Sequence, residues 1–283
     1  MICEKIDLYK YFGVERKSDG GFLKTYVREV ISEIKPKLRP AMLVIPGGAY
    51  CMLSEREGEP VALEYMLHGY SSFVLQYSVH TKFPIPLLEA CMAVIYLRKH
   101  AKMYCIDESH IAAIGFSAGG HLAMMLANFY DDKEIKKILK EETSFAKISA
   151  LILSYPVVSL LTYAHTGSRD IITGGDKQLC ERLSMEKHIT ENSPPTFIWH
   201  TVTDDCVQVE NSFMLAAAYK KAGVPFALHL FENGEHGSSL CNNEIHDQTT
   251  KDYALENNSK WFDLSLDWLS EHGFTVRISD EIF

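Results

Sequence analysis

Gly115-Phe116-Ser117-Ala118-Gly119 is the segment of this 283-residue chain whose spacing speaks most directly of chemistry. A G-x-S-x-G run stands a serine on a tight, strained turn that lifts its hydroxyl clear of the backbone. Side chains two residues to either side would collide with that turn, and glycine has none. Such a serine becomes an acyl-transfer nucleophile when a base takes its proton and fixed N–H groups meet the charge growing on the attacked carbonyl oxygen. The bare pattern arises by chance in roughly one chain in ten, and a glycine-rich helix start with a capping serine would also write it. Context decides: the apolar run 111–114 precedes it and a helical pattern over 118–126 follows, the strand–turn–helix setting the motif demands. A second segment, Pro46-Gly47-Gly48-Ala49-Tyr50, also follows an apolar run. A glycine-rich loop there can aim backbone amides at an oxyanion. Gly48 and Ala49 are the candidate donors, Gly47 is next, and the amide of Ala118, directly after the serine, completes the set.

The elements that must position these residues are short apolar runs alternating with helical patterns. Residues 41–46, 71–77, 110–114, 150–154, 196–199 and 226–231 read as strands. Residues 59–68, 86–99, 118 to about 130, 210–221 and 261–269 read as helices. The first forty residues hold two weak strand candidates and are expected to form an antiparallel edge. Residues 156–193 read as an irregular insertion over the top of the sheet, within a single domain spanning 1–283. Strand–helix alternation implies an α/β fold, a mostly parallel central sheet with helices on both faces. In such sheets ligands sit at the carboxyl ends of the strands. Gly48, Ser117, Asp204 and His236 each fall within a few residues after a strand candidate.

Twelve histidines compete to be the base. In a sheet with this elbow the chain order is nucleophile, acid, base, which selects His236, in a turn between Gly234 and Gly237 after the last strand. His246 and His272 follow no strand, His229 lies inside one, and His200 precedes the acid candidates. His121 sits one turn beyond Ser117, suited to packing or hydrogen bonding beneath the elbow. The acid that fixes the imidazole tautomer is Asp204 or Asp205, which sequence chemistry hardly separates. Cys51 and Cys206 read as packed thiols rather than second nucleophiles.

Composition bounds the partners. With 47% hydrophobic and 23% charged residues the chain is of ordinary globular type. A net charge of −9 argues against nucleic acid. No apolar run approaches the ~18 residues of a membrane span. Seven scattered cysteines without a CxxC pair argue against a disulfide framework or a zinc site. Free thiols and an N-terminus without an apolar leader point to a cytoplasmic enzyme. The chemistry calls for no cofactor and no metal. The expected partner is a small-molecule ester, and the oligomeric state is left open.

These residues resemble the acetyl esterase/lipase group of α/β-hydrolases, especially bacterial carbohydrate-esterase-like members described as acetyl xylan esterases or sugar-ester hydrolases. The resemblance runs from about residue 41 to 274. It is carried by IPGGAY (45–50), EREGEPVA (55–62), FVLQYSV (73–79), IDESHIAAIGFSAGGHLA (106–123), LSYPVVS (153–159), PPTFIWHTVTDDCVQVENS (194–212) and KAGVPFALHLFENGEHG (221–237). In that group the acid lies four residues after a strand-end histidine, in a D-x-x-V-P pattern, which implies Asp204 with Val207 as the matching valine. It likewise implies Ser117 as nucleophile and His236 as base. Gln208 departs from the usual proline, Ala49 from a frequent third glycine, and Ser78 stands where arginine is common. The implied activity is hydrolysis of short, acetyl-like esters of sugars or small alcohols. A peptidase or formamidase using the same three residues, and a non-catalytic binding protein of the same fold, are the other readings.

Overall fold

The computed structural model describes residues 1–245 and 256–279. Its strands are β1 (Lys5–Asp7), β2 (Phe22–Tyr26), β3 (Lys37–Ile45), β4 (Ser71–Gln76), β5 (Ile106–Phe116), β6 (Ala150–Ser154), β7 (Thr196–Thr201), β8 (Phe226–Phe231) and β9 (Arg277–Ile278). Its helices are α1 (Leu8–Phe12), α2 (Glu59–Leu67), α3 (Ile85–Lys99), α4 (Ala118–Phe129), α5 (Lys133–Leu139), α6 (Thr166–Thr173), α7 (Lys177–Arg182), α8 (Glu210–Ala222) and α9 (Glu256–Glu271). The sheet order is β1-β2-β4-β3-β5-β6-β7-β8. From β4 to β8 every pairing is parallel, while β1 and β2 form the antiparallel edge.

The parallel core forms because both faces are covered. Every residue of β6 and β7, and the second half of β3 and β5, is buried, so these strands read as unbroken apolar runs rather than alternating ones. Successive side chains still point to opposite faces. Leu43, Ala113, Leu151 and Ile198 pack beneath α3, α4, α5 and α8 in one core layer. Met42, Ala112, Ile152, Phe197 and Trp199 pack against α2 and α9 in the other. There Trp199 stacks on Trp261 of α9, ring centroids 5.1 Å apart.

Besides α1 and α5, which are absent from the helices read in the sequence, and α9, which begins at Glu256 rather than 261, three regions differ from the sequence reading. β3 begins at Lys37 rather than 41, because Lys37 and Leu38 pair with β9, a two-residue exposed strand without legible periodicity. β5 begins at Ile106 rather than 110, through polar Asp107, Glu108 and Ser109, because Ile106 pairs with Arg39 across a register shift. The 156–193 stretch is not uniformly irregular: it carries α6 and α7. Each is capped locally, by His165 on the Ser168 amide and by Asp176 on the Leu179 amide, and α6 ends on left-handed Gly174.

Candidate active site

β5 hands the chain to α4 through a single residue, Ser117, at φ 52° and ψ −120°. A non-glycine residue at positive φ is strained, and such strain persists only where the surroundings hold it. Here the Ser117 amide donates to the Ser154 carbonyl at 3.0 Å, and its carbonyl accepts from Val157 and Gly120 at 3.1 and 3.0 Å. The flanking glycines have a steric cause. A Cβ on Gly115 would strike the Gly119 carbonyl, and one on Gly119 would strike the Ile45 and Pro46 carbonyls. The G-x-S-x-G spacing is therefore the imprint of α4 lying directly on the ends of β5 and β3.

Ser117, His236 and Asp204 come together although 119 positions separate the first two. The Ser117 hydroxyl lies 2.8 Å from His236 Nε2, and His236 Nδ1–H donates to Asp204 Oδ2 at 2.7 Å. Asp204 is buried after β7. Its Oδ1 accepts the amides of Cys206 and Val207 at 3.0 and 2.9 Å, and His200 Nε2 stands 3.3 Å from Oδ2. Burial alone would raise its pKa. Hydrogen bonds from His200 and His236 outweigh that and hold the carboxyl well below the usual carboxylate range. Asp205 is exposed. His200, left aside by sequence reasoning, donates to the Val207 carbonyl at 2.8 Å while its Nδ1 meets the Ser212 hydroxyl at 2.8 Å, so it braces the carboxylate from behind.

The glycine-rich turn after β3 lies against the elbow. Gly48 and Ala49 both have positive φ, 119° and 57°. A Cβ on Gly48 would collide with the Met52 carbonyl. The amides of Gly48 and Ala49 have no acceptor among the described residues, and Ala118, as the first residue of α4, has none within its helix. Gly47 is different: its amide donates to Glu57 Oε2 at 2.8 Å and is already engaged. Glu57 is the residue that sequence reasoning missed. Though only 2% exposed, it also accepts the Tyr155 hydroxyl on Oε1 at 2.8 Å. Tyr155 in turn accepts the Ser239 amide at 2.9 Å and sets its ring edge-on to His236, centroids 5.0 Å apart. This chain of bonds ties the turn after β3 to the loop that carries the histidine. The one available signal was a glutamate at the threshold of α2 inside a matching segment.

Ser117, His236, Gly48, Ala49 and Glu57 line a cavity of about 250 Å³, whose other walls include Cys51, Met52, His165 and Cys206. Cys206 is exposed rather than packed; partial desolvation of its thiol, with the carboxylates of Asp204 and Asp205, pushes the pKa up, so it stays protonated. His121 lies fully buried beneath the elbow between the Tyr50 hydroxyl and the Leu183 carbonyl, each 2.8 Å away. Burial lowers its pKa to about 4. His229 stacks on Phe197 and His272 lies against Trp268, both away from the cavity. His246 lies outside the described residues.

Residues 31–219 match the family model described as BD-FAE. Endo-1,4-beta-xylanase B of Butyrivibrio fibrisolvens is 38% identical over 219 residues, covering 73% of this chain and 34% of that protein. The acetylxylan esterase of Xylanibacter ruminicola is 28% identical over 222 residues, 75% of this chain and 44% of that protein. The chain thus spans less than half the length of either curated relative. The crystal structure of an acetyl ester-xyloside bifunctional hydrolase from Caldicellulosiruptor lactoaceticus superposes with a TM-score of 0.78 at 36% identity, covering 89% of this chain and 88% of that one. With an elbow of this geometry on a parallel sheet of this order, and a family match over two-thirds of its length, the chain belongs to the BD-FAE family of α/β-hydrolases.

Proposed function

We propose that the chain is a serine esterase, a single catalytic domain that hydrolyses short-chain esters, acetyl above all, of sugars or small alcohols. The observation that carries this reading is the continuous relay from Ser117 Oγ through His236 to Asp204, beside the amides of Gly48 and Ala49, which have no acceptor among the described residues. In the first step Ser117 Oγ bonds to the ester carbonyl carbon while its proton passes to His236 Nε2. The resulting oxyanion is met by the amides of Gly48, Ala49 and Ala118. The bond to the alcohol oxygen then breaks, and His236 returns the proton to that oxygen. Water, deprotonated by the same imidazole, releases the acid and restores the serine. Asp204 holds the Nδ1–H tautomer and stabilises the imidazolium while it exists.

The names of the relatives point toward acetyl esters of xylan-type sugars. The test is a panel of 4-nitrophenyl acetate, butyrate and octanoate with acetylated xylose, assayed on wild type and Ser117→Ala. Acetyl esters are expected to turn over fastest, and Ser117→Ala to lose at least ~10⁴-fold in kcat. Preference for octanoate would refute the acyl assignment, and undiminished turnover in Ser117→Ala would refute the nucleophile.

A further inference from the structure

One histidine of the cavity wall is not used by the relay. His165 caps the N-terminus of α6: its Nδ1 accepts the backbone N–H of Ser168 at 3.2 Å and lies 2.9 Å from the hydroxyl of the same buried serine. A ring nitrogen that accepts a backbone N–H carries no proton, so neutral His165 bears its proton on Nε2. Nε2 makes no hydrogen bond among the described residues, and the ring shares the cavity with Ser117 and His236. Burial lowers the pKa of His165, the charge of His236 lowers it further, and only the pull of Asp204 opposes them. The ring is thus an uncharged donor at neutral pH and does not oppose the imidazolium that His236 becomes.

Its place relative to the relay says which half of an ester it faces. The departing oxygen must take its proton from His236, so the alcohol lies on the imidazole side of Ser117. His165 lines the same cavity as Ser117 and His236, and its ring interacts electrostatically with both His236 and Asp204, the pair that serves the departing oxygen. We infer that His165 is a substrate-contact residue whose Nε2–H donates to a second oxygen, hydroxyl or ether, of the departing alcohol. The inference rests on the esterase reading above and narrows it to esters of oxygen-rich alcohols. An alcohol without that oxygen leaves the donor desolvated and unpaired, which is how a polar site rejects an analogue.

The experiment compares kcat/KM on an acetylated xylo-oligosaccharide and on phenyl acetate, whose alcohol has no second oxygen. His165→Phe is expected to lower the ratio of the two about 3- to 10-fold, the worth of one neutral hydrogen bond. His165→Gln, whose amide nitrogen reaches the position of Nε2, is expected to restore part of it. An unchanged ratio in His165→Phe, whether both activities hold or fall together, overturns the contact. A wild-type protein inert on both esters overturns the esterase reading, and the role of His165 with it.

Discussion

Asp204 accepts two backbone amides and the Nδ1–H of His236, with His200 Nε2 standing 3.3 Å away, and this crowding of positive ends keeps a buried carboxyl ionised against the desolvation that raises its pKa. His121 is the opposite case: it has partners on both nitrogens yet lies so deep that its charged form is disfavoured. Its folded pKa of about 4 lies below the ~6.5 of an exposed histidine. Its contribution to stability is therefore complete above about pH 6.5. It is lost as pH falls toward 4, because the unfolded chain takes up the proton first, at up to about 1.4 kcal/mol per pH unit. Urea melts between pH 7 and 4.5 are expected to show stability falling with pH in wild type and falling less steeply in His121→Gln. An identical slope in the two proteins would contradict the assignment.

Between elements, Glu57 is the strut. It comes from the turn leading into α2 and bridges the loop after β3 to Tyr155 after β6, 98 positions away, and through Tyr155 to the histidine loop. Glu57→Ala leaves the Gly47 amide and the Tyr155 hydroxyl without their acceptor, a cost of about 1–3 kcal/mol for each buried group left unpaired. A lower melting temperature, and a kcat on 4-nitrophenyl acetate reduced by more than KM is raised, are the expected results. A change in melting temperature with kcat intact would make Glu57 a structural brace alone. Networks of this kind are poorly written in sequence. Ser117, Gly48 and His236 each follow an apolar run and sit among glycines, so local pattern exposes them. Glu57, Tyr155 and His200 are defined by partners from remote segments, and no local pattern marks those. The same holds for elements. β6 and β8 match their sequence-read limits because apolar runs between polar turns delimit them. α6 and α7 are eight and six residues long, held by their caps more than by an apolar stripe, and β9 exists only through its pairing with β3.

Across the whole molecule, the sheet gathers what the chain scatters. Gly48, Ser117, Tyr155, Asp204 and His236 follow β3, β5, β6, β7 and β8 respectively, and parallel pairing brings the carboxyl ends of those strands to one edge. Among the described residues no helix is long and apolar enough to cross a membrane. The central claim, that this edge activates one serine out of the whole chain, is tested most directly by a fluorophosphonate probe followed by peptide mass spectrometry. One adduct per chain is expected, on Ser117, with labelling slowed by orders of magnitude in His236→Ala. A wild-type chain that stays unlabelled, or an adduct on any other residue, would contradict it.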